Sequence, residues 1–185
     1  FADCLHEIKP NLWVLPSTRK TGEAEDIIYA QTARELTFVH FFGRLEQNYD
    51  AVIIDTAPSI SLLQSCALMY CKQALVPVAM EPLSLQGAIA SLQGISTLND
   101  IYQPGEPLRV LGFLPVNVNR RLAITATVSD ALSVASERST VPILPAIRTD
   151  QDVVRAMRDR TPITDAYPNC KALEDYRNAL DAILQ

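Results

Sequence analysis

The sequence has little glycine and no cluster of it. Six glycines are spread along 185 residues, and none is followed by Lys and then Ser or Thr. A glycine-rich phosphate loop, whose backbone N–H groups surround the phosphates of a bound nucleotide, is therefore absent from these residues. No uninterrupted apolar run approaches the roughly 20 residues that a membrane-spanning helix needs.

Histidine and cysteine are also scarce. His6 and His40 lie in segments without a plausible nucleophile, so Ser/His/Asp or Cys/His catalysis has little support. The four cysteines contain no CxxC pair, and the histidines add no ligand at metal-binding spacing. This pattern favours buried, reduced thiols in a cytoplasmic protein over a metal centre or a disulfide framework.

Charge and length place the chain among ordinary globular proteins. The formal net charge is -5, with 48% hydrophobic and 20% charged residues. An acidic balance argues against a surface dedicated to nucleic acid, although it is compatible with local basic patches. The length fits one domain with a substantial core.

Apolar runs alternate with segments of helical periodicity along the whole chain. We predict strands at residues 11–16, 51–54, 74–79, within 108–118 and at 141–147, and helices at 23–46, 59–70, 84–102, 124–138, 150–160 and 169–185. The strands are continuous apolar runs, which indicates burial on both faces. The predicted fold class is therefore α/β, a mainly parallel sheet with helices on both faces. Pro142 and Pro145 should confine the last strand to an exposed or bulged position.

One strand ends on an acid. In the stretch YDAVIIDTAPS, residues 49–59, four apolar residues precede Asp55 and a short turn follows. A rigid strand that ends in a carboxylate is what a nucleoside triphosphatase uses to hold Mg²⁺ or its coordinated water. Many parallel strands also end in Asp to cap the following helix, so the pattern alone leaves both interpretations open.

The residues around Asp55 resemble the ParA/Soj family of partitioning ATPases, which belongs to the deviant-Walker, MinD-like group of P-loop proteins. That family has a strand of the form YDxIIIDxPPS, a helix of small and apolar residues, a strand ending in Pro-Val and a loop with Glu, Leu and Gly. The matching positions here are Asp55, Pro58, Ser59, Pro77, Val78, Glu81, Leu85 and Gly87. Ala57 stands where the family usually has its first proline.

The resemblance extends over essentially the whole chain. PNLWVLPSTRKTGEAE (residues 10–25), LRVLGFLPVNVNRR (108–121) and VPILPAIRTDQDVVRAMRDRTPI (141–163) each resemble a family segment. The departures are single residues at positions that the family usually fills differently: Asn119, Leu122, Arg148, Arg155, Arg160 and Thr161.

The resemblance implies a nucleotide site that uses ATP and Mg²⁺. Asp55 would be the catalytic Walker B acid and the metal ligand, acting directly or through water. Thr56 to Ser59, including Pro58, would form the loop that senses the γ-phosphate. Asn117 or Asn119 would read the edge of the adenine, with turn capping as the alternative role for each. Arg148 would flank the base.

The resemblance also implies partners: a second copy of the chain, a ParB-like activator and nonspecific DNA. Candidate DNA contacts are Arg120, Arg121, Arg155 and Arg158, which would bind phosphates. A solvated, internally paired surface is the alternative, since Asp152 and Asp159 lie close in sequence. The last 16 residues mix both charges, which does not favour a membrane-binding helix.

The family's phosphate loop, KGGxGK followed by Ser or Thr, has no counterpart here. We therefore expect residues 1–185 to be a single ParA-like ATPase domain, incomplete at its N-terminus, which alone binds ATP poorly and does not hydrolyse it. The alternative is a ParA-like scaffolding or dimerisation module without nucleotide chemistry.

Overall fold

The structure is a computed structural model that describes residues 4–18, 20–43, 45, 48–57, 61–102 and 105–184. It divides into two compact units, Phe1–Tyr70 and Cys71–Gln185. None of the helices among the described residues is both long enough and apolar enough to cross a membrane.

The first unit begins with an antiparallel hairpin. Its strands are β1, His6–Lys9, and β2, Leu12–Val14, with His6 opposite Val14. Asn11 makes the tight turn with φ of 66°, a left-handed conformation that Asn tolerates better than most residues. The sequence predicted a strand at 11–16 but not its partner. Pro10 and Asn11 suit the two central positions of a tight turn, and this pair would have indicated the hairpin.

Helices make up most of the rest of the first unit. They are α1, Lys20–Tyr29; a 3₁₀ turn, Arg34–Leu36; α2, Thr37–Phe42; and α3, Leu62–Cys71. The single helix predicted for 23–46 is therefore wrong, because Ala33 adopts a left-handed φ of 53° that no α-helix contains. A small core joins Ile28 of α1 to Leu62 and Cys66 of α3.

Helix α3 begins at Leu62, three residues later than predicted. The Oγ atom of Ser61 accepts from the backbone N–H of Gln64 at 3.2 Å, and Oε1 of Glu25 accepts from that of Leu62 at 2.7 Å. These bonds satisfy N–H groups that lack partners within the first helical turn. Ser59, the first residue of the helix predicted for 59–70, lies outside the described residues.

The segment 51–54, predicted as a strand, has no regular secondary structure. A strand is defined by hydrogen bonds to a neighbour, and no described segment pairs with these residues. Ile53 is 92% exposed, so the apolar run is not buried as the sequence indicated. The prediction of a strand that leads into Asp55 is wrong for this structure.

The second unit is built on a parallel sheet. Strands β3, Gln73–Ala79, and β4, Arg109–Val116, pair in parallel with Val76 opposite Phe113. Five helices accompany them: α4, Pro82–Tyr102; α5, Ala123–Ser139; α6, Gln151–Arg158; α7, Ile163–Ala166; and α8, Lys171–Leu184. Apart from the short α7, these elements follow the predicted order closely.

A third, irregular strand lies along β4. Residues 141–149 form two isolated parallel bridges, Ile143 with Phe113 of β4 and Arg148 with Val118, which follows β4. Pro142 and Pro145, which have no N–H to donate, are exposed, as the sequence predicted. Gly112 of β4 allows the close approach, because a Cβ atom there would lie 2.6 Å from Cγ of Leu144.

Helices cover both faces of this sheet. On one face Val76, Val78 and Phe113 pack with Leu85 of α4 and Leu132 of α5. On the other face the buried residues are Leu114, Leu144, Ile147 and Ala179 of α8. The α/β class with a parallel sheet and helices on both faces is confirmed.

Candidate functional site

The carboxyl ends of two neighbouring strands meet at one edge of the second unit. Beyond β4, the N–H of Val118 donates to the carbonyl of Ile147 at 3.0 Å, and the N–H of Thr149 donates to the carbonyl of Val118 at 3.2 Å. Residues 117–119 therefore lie beside residues 147–149. In open α/β sheets this edge is where ligands bind. Three predicted site residues, Asn117, Asn119 and Arg148, are brought together there.

The two asparagines differ in what their side chains do. The Oδ1 atom of Asn119 accepts from the backbone N–H of Arg121 at 3.1 Å, so it stabilises the turn that leads into α5. Asn117 is exposed in a left-handed conformation, φ 54°, and its amide makes no hydrogen bond within the described part of the chain. Turn capping, the alternative role for both residues, thus applies to Asn119.

Arg148 is fixed by a carboxylate that the sequence did not single out. Its Nε and Nη2 atoms donate to Asp175 of α8 at 2.6 and 2.7 Å, and its backbone N–H donates to the same carboxylate at 3.0 Å. The Arg148 side chain is 45% exposed, whereas that of Asp175 is 10% exposed. The guanidinium holds the pKa of Asp175 below its usual value, and Arg120 adds to this effect by its charge.

A sequence signal for Asp175 exists, although it is weak. Ala172, Asp175 and Ala179 recur at helical spacing, and all three are buried. An acid on the apolar face of a helix requires a partner, because burial of an unpaired carboxylate is costly. The sequence does not show that this partner is Arg148.

Asp55 and Thr56 belong to the first unit, where both are exposed in the irregular segment that follows Ile54. Pro58, the third predicted residue of this loop, lies outside the described residues. The carboxylate of Asp55 is an oxygen ligand of the kind that Mg²⁺ prefers, so its chemistry fits the predicted metal site.

The four arginines proposed to bind DNA divide into two groups. Arg155 bonds to Asp152 at 3.0 Å and Arg158 to Asp159 at 2.8 Å, as expected of an internally paired solvated surface. Arg120 and Arg121 are exposed beside the 117–119 turn.

A further group of polar atoms lies where α6 begins. Atoms of Asp150, Asp152 and Cys170 lie within 4.8 Å of one another. The carboxylate of Asp150 accepts from the N–H of Asp152 at 3.0 Å, and this bond lowers the pKa of Asp150. Burial raises the pKa of the Cys170 thiol. The contacts account for this group as a helix cap.

Comparison with known proteins identifies the family. A family model described as AAA domain matches residues 2–105, more than half of the chain. The chain belongs to this family. Curated proteins similar to it in sequence include members of the ParA family.

Two relatives illustrate the ParA-like character. The cell division protein PomZ of Myxococcus xanthus is 26% identical over 176 residues, which cover 95% of this chain and 54% of PomZ. The virulence plasmid ParA family protein pGP5-D of Chlamydia psittaci is 27% identical over 135 residues, 73% of this chain and 49% of that protein. The ParA-like chain thus spans about half the length of these relatives.

Solved structures show the same fold. Apo McdA of Cyanothece superposes with a TM-score of 0.84 at 16% identity, covering 98% of this chain and 72% of McdA. MinD of Pyrococcus horikoshii, complexed with Mg-ADP, has a TM-score of 0.68 at 17% identity, covering 98% and 66%. This MinD structure holds Mg-ADP in a protein of the same fold.

Proposed function

We propose that the chain is part of a ParA-like ATPase that positions or segregates DNA or another cargo through ATP-dependent dimerisation. One observation carries the proposal most directly. Asn117 and Arg148, which are 31 positions apart in sequence, follow neighbouring strands that are joined by the hydrogen bonds between Val118 and residues 147 and 149. The edge belongs to a fold that binds nucleotides in related proteins.

Within this proposal, Asn117 reads the adenine edge. An amide offers both a donor and an acceptor, the combination that the edge of adenine requires. The amide of Asn117 makes no hydrogen bond to other described residues, whereas the oxygen of Asn119 is engaged with the N–H of Arg121. Arg148 flanks the base, and its exposed guanidinium suits a flat aromatic ring.

Asp55 is the proposed catalytic and metal-binding acid, and Thr56 and Pro58 belong to the loop that follows it. Magnesium retains several waters and is held in proteins by one or two carboxylates together with the phosphates of the substrate, so one exposed carboxylate is an adequate protein ligand. When bound, Mg²⁺ would neutralise charge on the phosphates. Asp55 itself would orient the ion or its water.

The test measures Mg·ATP binding and hydrolysis by the 185-residue chain and by the product of its complete reading frame. We expect no micromolar binding and no hydrolysis by the chain, because it has no phosphate loop, and hydrolysis by the complete product. Asp55→Ala should abolish that hydrolysis. Asp50→Ala, a matched change at an exposed acid five residues earlier, should not.

Micromolar Mg·ATP binding by the chain alone would overturn the expectation of inactivity. A complete product that neither binds nor hydrolyses ATP would favour the alternative, a scaffolding or dimerisation module without nucleotide chemistry. The absence of a glycine-rich phosphate loop from these 185 residues is the observation that keeps this alternative open.

The proposed partners are a second copy, a ParB-like activator and nonspecific DNA. Arg120 and Arg121 are the better DNA candidates, because Arg155 and Arg158 are already paired with acids. Reversing the charge of Arg120 and Arg121 together should weaken binding to random duplex DNA and reduce its salt dependence. Reversing Arg155 and Arg158 is the matched control. A larger loss from the control pair would reverse this assignment.

A further inference from the structure

Both carboxylate oxygens of Asp175 accept hydrogen bonds from the same residue, Arg148. Oδ2 accepts from both the backbone N–H and Nε of Arg148, and Oδ1 accepts from Nη2. Parallel bonds of this kind between a carboxylate and a guanidinium fix orientation as well as distance. The pair therefore determines where the guanidinium lies.

The carboxylate itself is held by a well-packed helix. Its neighbours Ala172, Leu173 and Ala179 are all buried, and Ala179 packs with Leu144 and Ile147 of the third strand. An arginine side chain without such a partner samples many rotamers, and fixing it in one of them costs conformational entropy. Here Asp175 fixes the side chain before any ligand arrives.

The fixed guanidinium belongs to the edge that carries Asn117. Ile147, the residue before Arg148, accepts a hydrogen bond from Val118, the residue after Asn117. Arg120, in the same turn, lowers the pKa of Asp175 through its positive charge. The bonds to Asp175 engage Nε and Nη2 in the plane of the group and do not cover its flat faces, and the side chain is 45% exposed, so an aromatic ring can stack on it.

We propose that Asp175 is a positioning residue of the nucleotide site, which holds the guanidinium of Arg148 in place for a purine base to stack on. This inference rests on the proposed function, since it requires the base to bind at the 117–119 edge. The simpler role, a clamp that only joins α8 to the third strand, would make Asp175 matter for stability but not for base binding.

The experiment follows the side-chain NMR signals of Asn117 and of Nε of Arg148 in the chain while AMP is added at millimolar concentration. Ribose 5-phosphate, which has no base, is the ligand control. AMP should shift both signals and ribose 5-phosphate should not. Asp175→Asn should raise the dissociation constant for AMP about threefold to tenfold, the range expected for loss of one stacked cation.

Glu174→Gln is the matched control variant, because it removes the same charge from the adjacent exposed position. It should leave AMP binding unchanged. In an Arg148→Ala background Asp175→Asn should have no further effect, since the carboxylate acts only through the guanidinium. Arg148→Lys keeps the charge but not the paired bonds, and should reproduce the loss if Asp175→Asn does not fold.

The outcomes separate the inference from the function on which it rests. If AMP shifts neither signal in the unmodified chain, the base site and the role of Asp175 both fail. If AMP binds the unmodified chain and the Asp175→Asn and Arg148→Lys variants equally well, only the positioning role is overturned. Additive effects in the Arg148→Ala background would also overturn it.

Discussion

The two units differ in how far their apolar residues are buried. In the second unit, β3 and β4 carry helices on both faces, and Val78 and Phe113 are completely buried. In the first unit, every residue of β2 is exposed, and Phe41 and Ile53 are exposed as well. A two-stranded hairpin has little stability of its own, whereas a covered sheet excludes water from both faces. The comparison indicates that residues 71–185 contribute most of the stability of this structure.

The largest expected effect comes from replacing one buried ring. Phe113→Ala should lower the free energy of unfolding by about 3–5 kcal/mol, because it removes a fully buried side chain between α4, α5 and the sheet. Ile53→Ala in the first unit should change it by less than about 0.5 kcal/mol, since Ile53 is already exposed. Urea unfolding followed by circular dichroism measures both.

Equal losses in the free energy of unfolding from Phe113→Ala and Ile53→Ala would contradict this difference between the units. Such a result would mean that Ile53 is buried in solution, and that the first unit contributes as much to stability as the second. Leu132→Ala, a second buried change in the same core as Phe113, serves as the positive control.

A smaller effect on the free energy of unfolding is expected at acidic pH, and it arises in the second unit. The folded-state pKa of Asp175 is lowered by the hydrogen bonds from Arg148, so the pair stabilises the fold above the unfolded pKa of about 4. This contribution is lost as pH falls through the lower, folded-state pKa. Asp175→Asn should therefore be less stable than the unmodified chain at pH 7, with a difference that shrinks below about pH 4.

Urea unfolding at several values between pH 7 and pH 3 measures this difference. Asp181→Asn, at an exposed acid of the same helix, is the matched control and should show a small difference at every pH. A constant difference between Asp175→Asn and the unmodified chain down to pH 3 would show that the ion pair does not contribute to stability.

The elements of the second unit could be predicted because their signals are local. Strands β3 and β4 are continuous apolar runs, and α4, α5 and α8 have long helical periodicity. The run at 51–54 has the same composition, yet it is irregular, since a strand also needs a neighbour to bond with. Ala33 interrupts the helix predicted for residues 23–46, because it adopts a left-handed conformation that an alanine in the sequence does not indicate.

The position of two candidate residues in the fold could also be predicted. That Asn117 and Arg148 lie at one edge follows from parallel strands whose carboxyl ends coincide. The different roles of Asn117 and Asn119 depend on a single turn hydrogen bond, which composition does not encode. Asp175 was missed because its importance arises only when α8 packs on the third strand, 27 residues from Arg148 in sequence.

The prolines of the third strand have a consequence for self-association. An exposed sheet edge with a regular row of N–H donors invites strands from other molecules, which leads to fibrous aggregates. Pro145 has no N–H to contribute to this row, and Asp175 accepts another donor, the N–H of Arg148. This border of the sheet is therefore a poor template for the addition of a strand from a second copy of the chain.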